Sequence, residues 1–212
     1  MIEQKIQNFL NFDSSSININ YRQLKGSEKS LTIIVTVLFS VFGLWTNSIG
    51  IISSLRQGGL FVGFLLFLIF LLYPFNKKSP RDKIPINDWI CAILGAASGM
   101  YTFFAIESFA KKAIPEPSNL DIFFGVIVIL LVLEATRRAA GKWISIICIF
   151  FLFYALFGKY FPGIFKHRGI SFIRLIIRIY LVDEGIYGMT TKVATTYIFL
   201  FIIFGAFLKR SG

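Results

Sequence analysis

The clearest group of residues with a spacing suited to chemistry is Glu134-Ala135-Thr136-Arg137-Arg138. On a helix, residues three and four apart share a face, so a local ion pair is expected between Glu134 and both arginines. Upstream, Ser118-Asn119-Leu120-Asp121 has the form of a helix start. Ser118 is placed to cap it, and Asp121 falls in the first turn, where a carboxylate meets the positive end of the helix dipole. Arg137 and Arg138 then stand at the C-terminal end of the same helix, where positive charge is favourable. Arg174 and Arg178, four apart, form a narrow polar stripe within an otherwise apolar surface that includes Phe172, Leu175, Ile176 and Tyr180. The chemistry expected of Asp121, Glu134, Arg137, Arg138, Arg174 and Arg178 is anchoring: pairing, capping and contact with an interface.

Catalytic constellations are missing from the sequence. It contains no Gly-rich phosphate loop, no nucleophile elbow and no metal-spaced His/Cys/Asp cluster. The one histidine, His167, lies in the basic stretch Lys166-His167-Arg168 and reads as a solvated surface residue. Cys91 and Cys148 fall far apart inside apolar segments and read as buried free thiols. Together these are too few soft ligands for haem, zinc or an iron–sulfur cluster, so no cofactor or metal is expected and the chain does not read as an enzyme. No charge falls mid-span, and no strong span shows the break that marks a secondary-transport site.

The elements that must position these residues follow from composition. Of 212 residues, 56% are hydrophobic, 17% aromatic and 16% charged. An ordinary soluble domain carries roughly 45–50% apolar and about 25% charged residues. One core of this size cannot hide the excess, and several apolar runs reach the roughly 17–25 residues that span a bilayer. The expected fold is an all-α integral membrane protein of about six transmembrane helices and one interfacial amphipathic helix. The spans fall near residues 31–52, 60–75, 88–106, 122–138, 143–161 and 193–208. The first two are joined by a short turn and form a hairpin. The third is rich in small residues, among them Ala92, Gly95, Ser98 and Gly99, which suits the middle of a packed bundle. Residues 171–182 rise only about 18 Å as a helix, too little to cross the hydrocarbon core. They are expected to lie in the interface or to brace other helices there.

The formal charge is +11. In a soluble protein that excess would favour nucleic acid, but membrane topology explains it without such a partner. Lys5, Arg22, Lys25 and Lys29 precede the first span, Lys77, Lys78, Arg81 and Lys83 follow the second, Arg137, Arg138 and Lys142 follow the fourth, and Lys209 and Arg210 end the sixth. The opposite connections hold Arg56, and Lys111 with Lys112. This alternation places the N-terminus in the cytoplasm, with residues 1–30 as a polar tail rather than a signal peptide. The long fifth connection, with Lys159, Lys166, Arg168, Arg174, Arg178 and Lys192, departs from the rule.

From about Ile84 onward the sequence resembles the fused permease of tripartite ATP-independent periplasmic (TRAP) transporters of the TAXI subtype. The resemblance is carried by Pro117-Ser118-Asn119-Leu120-Asp121 and by Leu131-Val132-Leu133-Glu134-Ala135-Thr136-Arg137-Arg138. It continues through Phe153-Tyr154-Ala155-Leu156-Phe157-Gly158, Pro162-Gly163, His167-Arg168-Gly169 and Gly185-Ile186-Tyr187-Gly188 to Phe204-Gly205-Ala206-Phe207-Leu208. Earlier residues share only hydropathy, and Lys192 stands where a small uncharged residue is expected.

The resemblance implies a permease of the bacterial cytoplasmic (inner) membrane. It would import organic acids, typically carboxylates, delivered by a periplasmic substrate-binding protein and driven by sodium. It divides the chain into a four-helix small-subunit-like region over 31–142 and the start of a large-subunit-like region over 143–212. In the family the substrate and sodium sites lie in the large subunit beyond this point, so the chain is expected to be scaffold, partnered by membrane lipid and the rest of the large subunit. A second reading is a stand-alone scaffold or assembly protein that pairs with a separate large permease subunit.

Overall fold

A computed structural model describes residues 21–50, 52–76, 79–110, 117–182 and 184–211. The tail over 1–20, Lys77, Lys78, Lys111 and Lys112 lie outside the described residues. Among those described there is no strand, and six helices are long and apolar enough to cross a membrane. The chain is a multi-pass membrane protein by helix length and composition.

Helix α1 spans Gly26–Ile49 and ends where Gly50 takes a left-handed conformation with φ 63°, which its missing Cβ permits. Helix α2, Ser54–Leu72, starts before its apolar run. Gln57, Gly58 and Gly59 are helical and buried because neighbours satisfy them: the Gln57 amide donates to the Thr46 hydroxyl at 3.1 Å. A hydropathy edge marks a change in polarity, not the end of a helix. Tyr73-Pro74 stops α2, since the residue before proline is pushed out of the helical region.

Helix α3 spans Ile86–Ala110 and α4 spans Asn119–Ala139. The Asp121 carboxylate accepts the Ser118 backbone N–H at 2.7 Å, the reciprocal bond expected at the start of α4. After a tight turn through Ala140 and Gly141, α5 runs over Lys142–Phe157. Residues 171–182 are not one regular helix. Phe172–Ile176 is an α turn, α6, that widens into a π turn over Ile177–Leu181. The last helix, α7, spans Met189–Ser211 and also contains a π turn, Ala194–Ile198, an irregularity that hydropathy gave no sign of.

Two packing devices hold the bundle. The first is the α2–α3 crossing, where Gly59 and Gly63 face Gly95 and Gly99. A Cβ on Gly63 would lie 2.9 Å from the Gly99 Cα, and one on Gly99 2.7 Å from the Gly63 Cα. Backbones this close gain dispersion contacts that larger side chains would prevent. The second is an aromatic knot in which the Phe39, Phe61 and Phe199 rings join α1, α2 and α7, with centroids 5.0–5.8 Å apart. Gly43 gives the Phe199 ring its space. Burial is uneven: 56% of the α2 span is buried, against 11% of the α5 span and 6% of α7.

Candidate functional site

The polar chemistry gathers at the two ends of the bundle. At one end, α2 stops and leaves its last carbonyls without helical partners. Arg22, from the segment before α1, lies in that gap with a fully buried side chain. Its Nη1 donates to the carbonyls of Phe70 at 3.1 Å and Leu71 at 3.2 Å, and its backbone N–H donates to the Leu72 carbonyl at 2.7 Å. Its Nη2 pairs with Asp88 in the first turn of α3. The other Asp88 oxygen accepts Arg138 Nη1 at 2.8 Å, and that nitrogen also donates to the Tyr73 carbonyl at 3.1 Å.

Glu134 completes the network. It accepts Arg138 Nε at 2.7 Å and two nitrogens of Arg137, each at 2.7 Å. Arg137 also reaches the Phe75 carbonyl at 3.0 Å and lies over the Phe75 ring, and Arg138 lies over the Phe70 ring. A five-residue clamp therefore ties the α1 lead-in, the end of α2, the start of α3 and the end of α4. The Asp88 and Arg138 side chains are each 2% exposed and each has a second partner, Arg22 for Asp88 and Glu134 for Arg138, so only Arg22 depends on Asp88 alone for its counter-charge.

At the opposite end hydroxyl groups meet around Thr102, with one carboxylate, Asp121, beside them. Tyr180 of the π turn and Tyr187 both meet the Thr102 hydroxyl of α3, at 2.8 and 3.2 Å. Burial pushes the Tyr180 phenol up to about 12, partly offset by its bond to Thr102, and burial pushes Tyr187 higher still. Beside them the buried Asp121 accepts the Tyr101 hydroxyl at 2.8 Å. Gly125 admits the ring of Tyr180 and the side chain of Ile176 against α4. Further round, Asn47 donates to the Thr195 carbonyl at 3.0 Å and so ties α1 to the π turn of α7.

The six residues singled out in the sequence are divided between these ends. Glu134, Arg137 and Arg138 meet in the clamp, while Asp121 serves the start of α4 at the opposite end. Arg174 and Arg178 are exposed, whereas Leu175, Ile176, Tyr180 and Leu181 beside them are buried. His167 is half-buried and bonded instead of solvated. Its Nδ1 accepts the Gly169 N–H at 3.0 Å, so its Nε2 carries the proton and donates to the Tyr154 carbonyl at 3.0 Å. The imidazole pins the turn after α5 against Gly158, whose lack of a side chain makes room for it.

Sequence reasoning missed the role of Arg22. Arg22 was one of several basic residues before the first span, and only the fold brings it to Asp88. Among the described residues no group of three or more His, Cys, Asp or Glu side chains could hold a metal ion. The clamp's carboxylates are neutralised by guanidinium groups, so the arrangement fixes helix ends. No family model matches the chain, and no curated protein or solved structure matches it.

Proposed function

We propose that this chain is the scaffold part of a TRAP-type permease that imports organic acids with sodium. It would receive substrate from a periplasmic binding protein and work with the rest of a large permease subunit. The observation that carries the reading is the Glu134-Arg137-Arg138 element. It is central to the resemblance, and it takes part in a buried clamp joining four segments. Such a clamp holds these four segments together as one body, as a scaffold requires. The exposed apolar length of α5 and α7 adds support, since both leave broad faces for lipid or further permease helices.

In this reading the clamp end faces the cytoplasm of a bacterium. The opposite end, with α6 and the exposed Arg174 and Arg178, lies at the periplasmic interface. Proteoliposomes holding residues 1–212 alone are expected to show no sodium-driven uptake of labelled dicarboxylates. The same chain should co-purify with the large-subunit helices expressed separately. Sodium-driven uptake by 1–212 alone, or failure to co-purify, overturns the proposal.

A further inference from the structure

A groove of about 450 Å³ runs beside the start of α1. Its wall changes character with depth: Tyr21, Lys25 and Lys29 line it at the polar end, followed by Thr32, Ile33 and Leu72. Two other grooves in the bundle, one near Val35 and Phe67 and one near Leu130 and Phe153, are lined by apolar residues and glycine alone. We propose that the groove at Lys25 and Lys29 binds an anionic phospholipid. Its phosphate would sit between the two ammonium groups, and its glycerol and acyl chains would pass over Ile33 and Leu72.

Charge and dimension both support this occupant. Lys25 and Lys29 are exposed, and neither has an ion-pair partner among the described residues. Glu28 forms no ion pair with them, and its carboxylate is turned to the Ile84 N–H at 3.2 Å. Arg22 also lines the groove and belongs to a clamp of three guanidinium groups and two carboxylates, which leaves one positive charge in excess. Its Nε is buried without an acceptor. Four residues of helix rise about 6 Å, so Lys25 and Lys29 together span about the depth of one headgroup layer. Ile33, one turn further on, falls where hydrocarbon begins.

A zwitterionic lipid fits less well, since its own cation would meet two lysines. Inorganic phosphate would use the lysines but not the apolar half of the groove. Near a membrane surface each lysine strengthens attraction to anionic lipid by about fivefold, and the same order is expected of this pair.

The test uses the full chain in neutral detergent, with phosphatidylglycerol, phosphatidylcholine or inorganic phosphate as probe. Bound lipid is counted by native mass spectrometry, and lysine exposure is read by acetylation. Phosphatidylglycerol is expected to bind in preference and to protect Lys25 and Lys29 while Lys209 stays reactive. The double variant K25Q/K29Q should lower that preference by about tenfold to thirtyfold. The double variant R174Q/R178Q, which also removes two exposed charges, should leave it unchanged. Equal binding of both lipids, an equal loss in the two variants, or protection by inorganic phosphate alone overturns the proposal. So does resistance of Lys25 and Lys29 to acetylation without lipid, which would mean that the chain itself fills the groove. None of these readouts depends on transport.

Discussion

Asp88 illustrates how a single residue acquires its importance from distant partners. Its two oxygens each take a guanidinium from a different segment, Arg22 on one side and Arg138 on the other. Replacing it with asparagine keeps the shape but leaves the buried Arg22 without a counter-charge, while Arg138 retains Glu134. Asp88→Asn is therefore expected to cost about 3–5 kcal/mol, read as a lower unfolding temperature in detergent. Arg22→Met should cost less, because Asp88 keeps Arg138, and the two changes together should cost less than their sum. An additive result would mean that the pair does not form. Tyr180 yields a pH prediction of definite sign. Its folded value, about 12, lies above the ordinary phenol value of 10. Its stabilisation is therefore intact below pH 10 and is lost as the pH rises through about 12. Absorbance titration of wild type against Tyr180→Phe should show the missing phenolate step only in that alkaline range.

Among the elements, the α2–α3 crossing governs the packing. Gly99→Leu places a large side chain where even a Cβ would lie 2.7 Å from the Gly63 Cα. That variant should lose the monodisperse peak on size exclusion and unfold at markedly lower temperature. Gly205→Ala, in α7, meets nothing within 4 Å and should leave both measurements unchanged. The small residues of the third span were legible as a packing face. Their partners Gly59 and Gly63 have the same four-residue spacing, yet the hydropathy edge at Leu60 leaves Gly59 in the preceding turn and Gly63 in a run dense in leucine and phenylalanine. Both π turns escaped the sequence as well. A π turn arises where the chain must accommodate one extra residue against a neighbour, and at Ile177–Leu181 that neighbour is Thr102 with α4.

For the molecule as a whole, helices α5 and α7 contribute little to the core and leave wide apolar faces. Cys148 of α5 is exposed on such a face. In intact vesicles it should resist a membrane-impermeant maleimide and react only after the protein is solubilised and denatured. Labelling in intact vesicles would place water beside α5 and sink the bilayer assignment of that face. Orientation is tested in the same way, with cysteines placed at Arg81 and Lys166. The proposed topology expects the first to be labelled only from the cytoplasmic side and the second only from the opposite side.

The sequence by itself determined that the chain is helical, how many helices can cross a bilayer, and where most of them stop. These properties depend on local quantities: apolar run length, a proline after Tyr73, and an acidic residue in the first turn of α4. It also made the Glu134 pairing legible, because three- and four-residue spacings on one helix need no knowledge of any other. Tertiary structure alone decided that Arg22 caps α2, that Asp88 joins two arginines, and that Tyr180 and Tyr187 share Thr102. Those partners are separated by 48 to 85 residues. No periodicity links residues so far apart. They meet because helices paired by close glycine contact bring their ends together, and a buried charge or hydroxyl there must find whichever partner the packing supplies.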